Sequence, residues 1–162
     1  MDRYIEAAIG DINTRFYLSE FRHLEEGTAL MQITWNWSAF FFGSFWMLYR
    51  KMYGWCVLLI LFHLCEPLVS RPDNSVLIGA IYLVTDFILI PMYANFWYYR
   101  HVQNRVKSSH SKHVDSTHPI EFLRKTGGVN IWVKWVFGGL AIVLVGGSVL
   151  MFLLDVSGFL AH

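Results

Sequence analysis

The sequence predicts an all-α membrane protein with three spanning helices, and three observations carry that reading. Of 162 residues, 55% are hydrophobic and 17% aromatic, against only 15% charged, where soluble domains usually carry about 25% charge. One water-soluble core of this size cannot hide so much apolar surface, so lipid must be part of the solvent. Three apolar runs, at 52–69, 75–97 and 132–154, are separated by polar stretches. Finally, Trp and Tyr crowd beside Arg or Lys twice, at 35–53 and 93–101, the pattern of a boundary between hydrocarbon and water.

Taken in order, residues 1–34 form a cytoplasmic amphipathic segment. Ile5, Ile9, Ile12, Phe16, Phe21 and Leu24 make one apolar stripe, with Glu6, Asp11, Arg15, Glu20, Arg22 and Glu25 around the rest of the helix. A break is expected near Gly10 or Asn13, and Gly27 suits the C-terminal cap. Because the polar face is acidic, the helix is expected to cover the protein's own cytoplasmic face or to dock a partner, and not to bind anionic lipid.

Residues 35–51, WNWSAFFFGSFWMLYRK, form the aromatic interfacial segment. The apolar run within it is shorter than the ~20 residues a spanning helix needs. It is either a helix lying in the interface or a bent re-entrant arm with Gly43 at the bend. Trp35, Trp37, Trp46, Tyr49, Arg50, Lys51 and Tyr53 are the expected interface anchors.

A transmembrane hairpin follows over 52–99. Its first span is interrupted by His63 and Glu66, with Pro67 near the end; Arg71, Pro72, Asp73 and Asn74 make the turn; and Pro91 is expected to kink the second span. Residues 100–131 read as a basic cytoplasmic loop in which Pro119 opens a short helix that Gly127 and Gly128 end. The third span, 132–155, holds Lys134 at a depth from which it can snorkel, and 156–162 form an exported tail. Lys and Arg gather on cytoplasmic loops; with Arg50, Lys51 and the 100–125 segment on one side and only Arg71 on the other, the N-terminus is expected inside. No secretory signal is visible, since the first apolar run follows more than thirty mixed residues and no small-residue cleavage site comes after it. Cys56 and Cys65 lie nine apart on one helix, on different sides, and cannot bridge.

The central motif, with its Trp35-Asn36-Trp37, its Ala39-Phe40-Phe41-Phe42-Gly43 and its Trp46-Met47-Leu48-Tyr49-Arg50-Lys51-Met52-Tyr53, resembles the signature of a bacterial membrane-protein family catalogued as domain of unknown function 2628. Tyr17-Leu18-Ser19-Glu20-Phe21, Ala94-Asn95-Phe96-Trp97-Tyr98-Tyr99-Arg100-His101-Val102 and Gly127-Gly128 are similar to its flanking elements, so that the likeness spans roughly 16–130. The resemblance implies the membrane topology and brings no catalytic residues and no cofactor.

Asp86 is the costliest residue, since an aspartate in mid-span costs ~2.5 to 3.5 kcal/mol on insertion scales. Gly79, Tyr82, Asp86 and Tyr93 share a helix face, which offers its carboxyl two phenols. His63, on the antiparallel neighbour, is expected about 8 Å away in depth, within reach of a bridge by water or tyrosine, or of a direct pair if the helices tilt. Asp86, Tyr82, Tyr93 and His63 are therefore the candidate ligand or proton site; the bland alternative is a neutral, tyrosine-bonded Asp86 that fixes helix packing. Gly138, Gly139, Gly146 and Gly147 offer a close-packing face on the third span. The loop residues His110, His113, Asp115 and His118 lack the scaffold of a metal site and read as solvated. Nucleophile elbows and phosphate-cradling loops are absent, and the positive-inside rule explains the basic loop without nucleic acid.

The expected role is a non-enzymatic accessory or scaffold subunit of the bacterial inner membrane, with the bilayer and a second membrane subunit or copy of itself as partners and no cofactor. It would dock through the N-terminal helix and the Gly face. The alternative is a membrane-embedded small-molecule, lipid or proton-linked site centred on Asp86.

Overall fold

A computed structural model describes residues 2–26, 33–112 and 119–160, and these are helical with no strand among them. The helices are α1 (Asp2–Ile9), α2 (Thr14–Glu26), α3 (Trp37–Tyr49), α4 (Tyr53–Val69), α5 (Ser75–Val84), a π turn (Thr85–Leu89), α6 (Ile90–Lys112), α7 (Pro119–Thr126) and α8 (Ile131–Leu160). They divide into two compact units, Met1–Val129 and Asn130–His162.

In the first unit most of the N-terminal stripe is spent internally, with Phe16 left exposed. The chain turns between α1 and α2 where Gly10 (φ 77°) and Asn13 (φ 60°) both enter the left-handed region, which Gly and Asn tolerate best. α1 packs on α6 and α7, and α2 on α6. Ile5, Ile9, Tyr17 and Phe21 are buried with Tyr98, Val102 and Leu123. Two glycines let α1 and α7 close up. A Cβ on Gly127 would stand 2.5 Å from the Leu123 carbonyl oxygen and 2.7 Å from those of Ala7 and Ala8, and one on Gly10 would stand 2.6 Å from the Gly128 Cα.

Farther along, the pattern inverts and apolar side chains face outward. Leu68 and Val76 are 80% and 86% exposed, and Leu64, Leu77, Leu83 and Phe87 are also exposed, a contiguous apolar surface of the kind that lipid covers. Two helical stretches, Ser75–Ser111 and Pro119–Val149, are long and apolar enough to cross a membrane. α4 is apolar, but its 17 residues reach roughly 25 Å, short of the ~30 Å hydrocarbon layer. Two helices thus meet the length requirement by themselves. The Ser75–Ser111 stretch has 37 residues where a crossing takes ~20. Its apolar part is 75–97, and the part from Tyr98 onward is polar and basic.

Other boundaries shift as well. Residues 100–112 are no loop: they continue α6, because nothing between Arg100 and Lys112 breaks a helix. His113, Asp115 and His118 lie outside the described residues, while His110 sits in α6 with its Nδ1 bonded to the Val106 carbonyl and its ring 4.7 Å from that of Tyr4. In the second unit, α8 runs through to Leu160, so residues 156–160 are helix instead of tail. Gly138, Gly139, Gly146 and Gly147 all lie in α8.

The anchor motif departs most from expectation. Trp35, Trp37 and Tyr53 are exposed, but Trp46 is 4% and Arg50 1% exposed, so neither faces an interface. Arg50 lies in an aromatic box, its guanidinium carbon 4.3 Å from the Tyr17 ring centre, 5.3 Å from that of Tyr98 and 5.7 Å from that of Tyr49. Desolvated cation–π contacts of this kind contribute ~2 kcal/mol or more, and Arg50 also donates to the Ile12 carbonyl at 3.3 Å. Lys51 (φ 58°) turns away from the interface and donates through Nζ to the Thr126 and Gly127 carbonyls at the end of α7. Both cations therefore serve the fold of the first unit, which removes them from the orientation argument.

Candidate functional site

Pro91 shapes the site. Lacking an N–H, it cannot bond the Phe87 carbonyl, and its ring crowds that turn; the helix ahead of it widens into the π turn Thr85–Leu89, a distortion typical of functional positions. Asp86 sits in this widened turn. Opposite, α3 is bent at Gly43, whose φ of 45° and ψ of −118° are non-helical. This is the bend that the re-entrant reading of the segment requires.

Asn36 and Asn95 fix α3 against α6. Asn36 caps α3 by accepting from the Ala39 N–H (2.8 Å), and its own backbone N–H donates to the Pro91 carbonyl (3.0 Å). Its side-chain amide donates to the Asn95 Oδ1 at 2.7 Å, and the Asn95 amide donates to the Thr34 hydroxyl at 2.9 Å. Both asparagines are buried. The Trp-Asn-Trp and Ala-Asn-Phe motifs, 59 residues apart, are thus the two halves of one polar lock.

Between the bent α3, α4 and the π turn lies a pocket of ≈ 450 Å³. Phe40, Phe41, Leu59, Leu64, Phe87 and Ile90 give it apolar walls, and its ionisable groups are His63 and Asp86. These two meet directly, His63 Nε2 to Asp86 Oδ2 at 2.9 Å, while His63 Nδ1 lies 2.8 Å from the Leu59 carbonyl oxygen. A carbonyl only accepts, so Nδ1 carries a hydrogen. The Nε2 contact then needs a second proton, carried either by an imidazolium facing a carboxylate or by a carboxylic acid facing a neutral ring. In either form the pair holds one proton between its two heavy atoms, and losing it would set a nitrogen lone pair against a carboxylate.

The structure brings together three of the four residues singled out in the sequence, since the Tyr82 ring also lies 5.5 Å from that of His63. Tyr82 donates its hydroxyl to the Phe62 carbonyl at 2.9 Å and stacks on the Phe62 ring at 4.3 Å; it braces α4 against α5 and does not reach Asp86. Tyr93 stacks on Trp97 at 6.1 Å. Sequence reasoning placed Phe40, Phe41 and Gly43 in the anchor and missed them as pocket residues. The signal for them was Gly43 itself, a helix breaker amid rings.

The family model described as Protein of unknown function (DUF2628) matches residues 8–104. The chain belongs to that family. No curated protein and no solved structure is significantly similar to it. The matched part of this DUF2628 protein contains α2 through most of α6, and so the Arg50 box, the Asn36–Asn95 lock and the His63–Asp86 pocket all lie inside it.

Proposed function

We propose that this chain is a non-enzymatic multi-pass protein of the bacterial inner membrane that binds a small amphipathic molecule, a lipid or a metabolite with an apolar body, in the pocket at His63 and Asp86. Binding is linked to the proton held by that pair. The observation that carries the reading is the 2.9 Å contact between the two side chains inside a pocket whose other lining residues are apolar except for Ser44. Paired ionisable groups within a membrane segment are costly and mark ligand or proton sites by default. A polar ligand end would take the pair's remaining hydrogen-bonding capacity, and the rings would take the body. α4, too short alone, completes a third crossing with the help of the 70–74 turn. The N-terminus lies on the cytoplasmic side with the basic end of α6.

The accessory-subunit alternative keeps only part of its N-terminal docking stripe, because Ile5, Ile9 and Phe21 are buried within the unit while Phe16 is 47% exposed; the rest of the docking would fall to the Gly face of α8. Extraction in mild detergent, followed by native mass spectrometry, tests the proposal. Wild type should retain a small molecule that is released as pH rises and the shared proton leaves, and Asp86→Asn and His63→Gln should retain less of it. The same bound content in all three proteins at every pH overturns the reading.

A further inference from the structure

A second cavity, distinct from the membrane pocket, opens between α6 and α7. Its volume is ≈ 320 Å³, and it is lined by His101, Asn104, Arg105 and Ser108 from α6 and by Phe122, Leu123 and Thr126 from α7. Arg105 donates through Nη2 to the Thr126 carbonyl at 2.7 Å, and Lys51 reaches the same carbonyl from the other side at 3.1 Å. Two full positive charges thus converge on a helix C-terminus that offers only roughly half a negative one. No lining residue is acidic. The His101 Nε2 is buried with no hydrogen-bond partner among the described residues, an arrangement that leaves its desolvation uncompensated.

Depth adds a further constraint. At 1.5 Å per residue, positions 101 to 105 lie about 6 to 12 Å beyond Trp97 along α6, so His101 falls within, and the Arg105 backbone just beyond, the ~5–7 Å that headgroups occupy on each side of a ~30 Å hydrocarbon core. We propose that this cavity binds a phosphate group, with Arg105 supplying charge, and with the Asn104 amide and the Ser108 hydroxyl supplying hydrogen bonds. Neighbouring charges agree with an anion deficit: burial and then Arg105 push His101 down to about 4, and burial and Arg105 likewise lower Lys51. An anion seated among them would offset the part of each shift that Arg105 causes and leave the larger part, which burial causes.

The phosphate can come from an anionic lipid headgroup or from a soluble phosphate compound, and two arms separate these sources. In the first, thermal unfolding of the detergent-solubilised full chain is followed against inorganic phosphate, with chloride at matched ionic strength as the control. In the second, native mass spectrometry scores lipid retained after extraction from bilayers of phosphatidylcholine with and without phosphatidylglycerol. A midpoint that rises with phosphate but not chloride supports a soluble ligand; selective retention of phosphatidylglycerol supports the headgroup. Arg105→Gln should weaken either by roughly tenfold or more.

Because Arg105 also holds α7, Asn104→Glu serves as the second variant. By placing a carboxylate in the cavity it should raise the midpoint without added anion and abolish the anion response. Failure of both arms in wild type overturns the proposal, as does an equal response to chloride. A lower Asn104→Glu midpoint with an undiminished anion response overturns it too.

Discussion

Gly43→Ala separates backbone strain from packing at the bend of α3. At φ 45° and ψ −118° the residue lies outside the regions open to L-residues, and holding a side chain there costs ~1–3 kcal/mol. No atom lies within 4 Å of where the new methyl would stand, so collision adds nothing. For a chain of this size each kcal/mol moves the midpoint by about 2–4 °C, which predicts a loss of about 2–12 °C. The free thiols supply an assay. Cys56 is buried and Cys65 exposed, so in a Cys65→Ser background a thiol-reactive dye reports Cys56 only as the protein unfolds. Gly54→Ala is the control: Gly54 is helical in α4 with the same open space around its Cβ, and alanine there should be neutral or stabilising by up to ~1 kcal/mol. If Gly43→Ala and Gly54→Ala melt together, the bend is not a strained glycine conformation and the argument from φ and ψ fails.

Other substitutions probe different forces. Gly127→Ala should destabilise by about 3 kcal/mol or more, at the top of the overpacking range, because its methyl meets three backbone carbonyls within 2.7 Å; a wild-type midpoint in the same dye assay would show that α1 and α7 do not pack this closely. Asn95→Ala should cost ~1–3 kcal/mol by leaving the buried Asn36 amide without its acceptor, and Asn36→Ala with Asn95→Ala should cost less than the two single effects summed. His101 gives a pH dependence. Its folded value of about 4 lies below the ordinary ~6.5 of the unfolded chain, so the unfolded state takes up the proton first. Its contribution is level above that ordinary range, is lost as pH falls through it, and is fully lost below about 4. Subtracting the profile of His101→Asn from that of wild type should expose that slope, and identical profiles would place His101 in water.

How much the sequence revealed depends on whether the deciding partner was near in the chain. The break between α1 and α2 was legible because Gly10 and Asn13 act locally, through their own backbone preferences. Asp86 and His63 stood out because each is expensive in an apolar run. Their direct contact was not legible, since it depends on a π turn ahead of Pro91 that changes which way Asp86 points. Arg50 and Trp46 were misread for the opposite reason. Rings beside a cation look alike in sequence whether they face lipid or close a box, and the residue that closes this one, Tyr17, lies 33 positions away in another helix. Helix α6 runs past its expected end because Arg and Lys, which mark a basic loop by charge, are also good helix formers.

The close seat of α1 on Gly127 and Gly128 also orders events in time. Helix α1 is completed by a helix made much later, so the packing of its oily side must wait until about 120 further residues have left the ribosome. At ~5–20 residues per second that is roughly 6 to 24 seconds in which Ile5 and Ile9 lack the part of their native cover that α7 supplies. A nascent chain with such a gap offers a natural window for a chaperone or the insertion machinery to hold it.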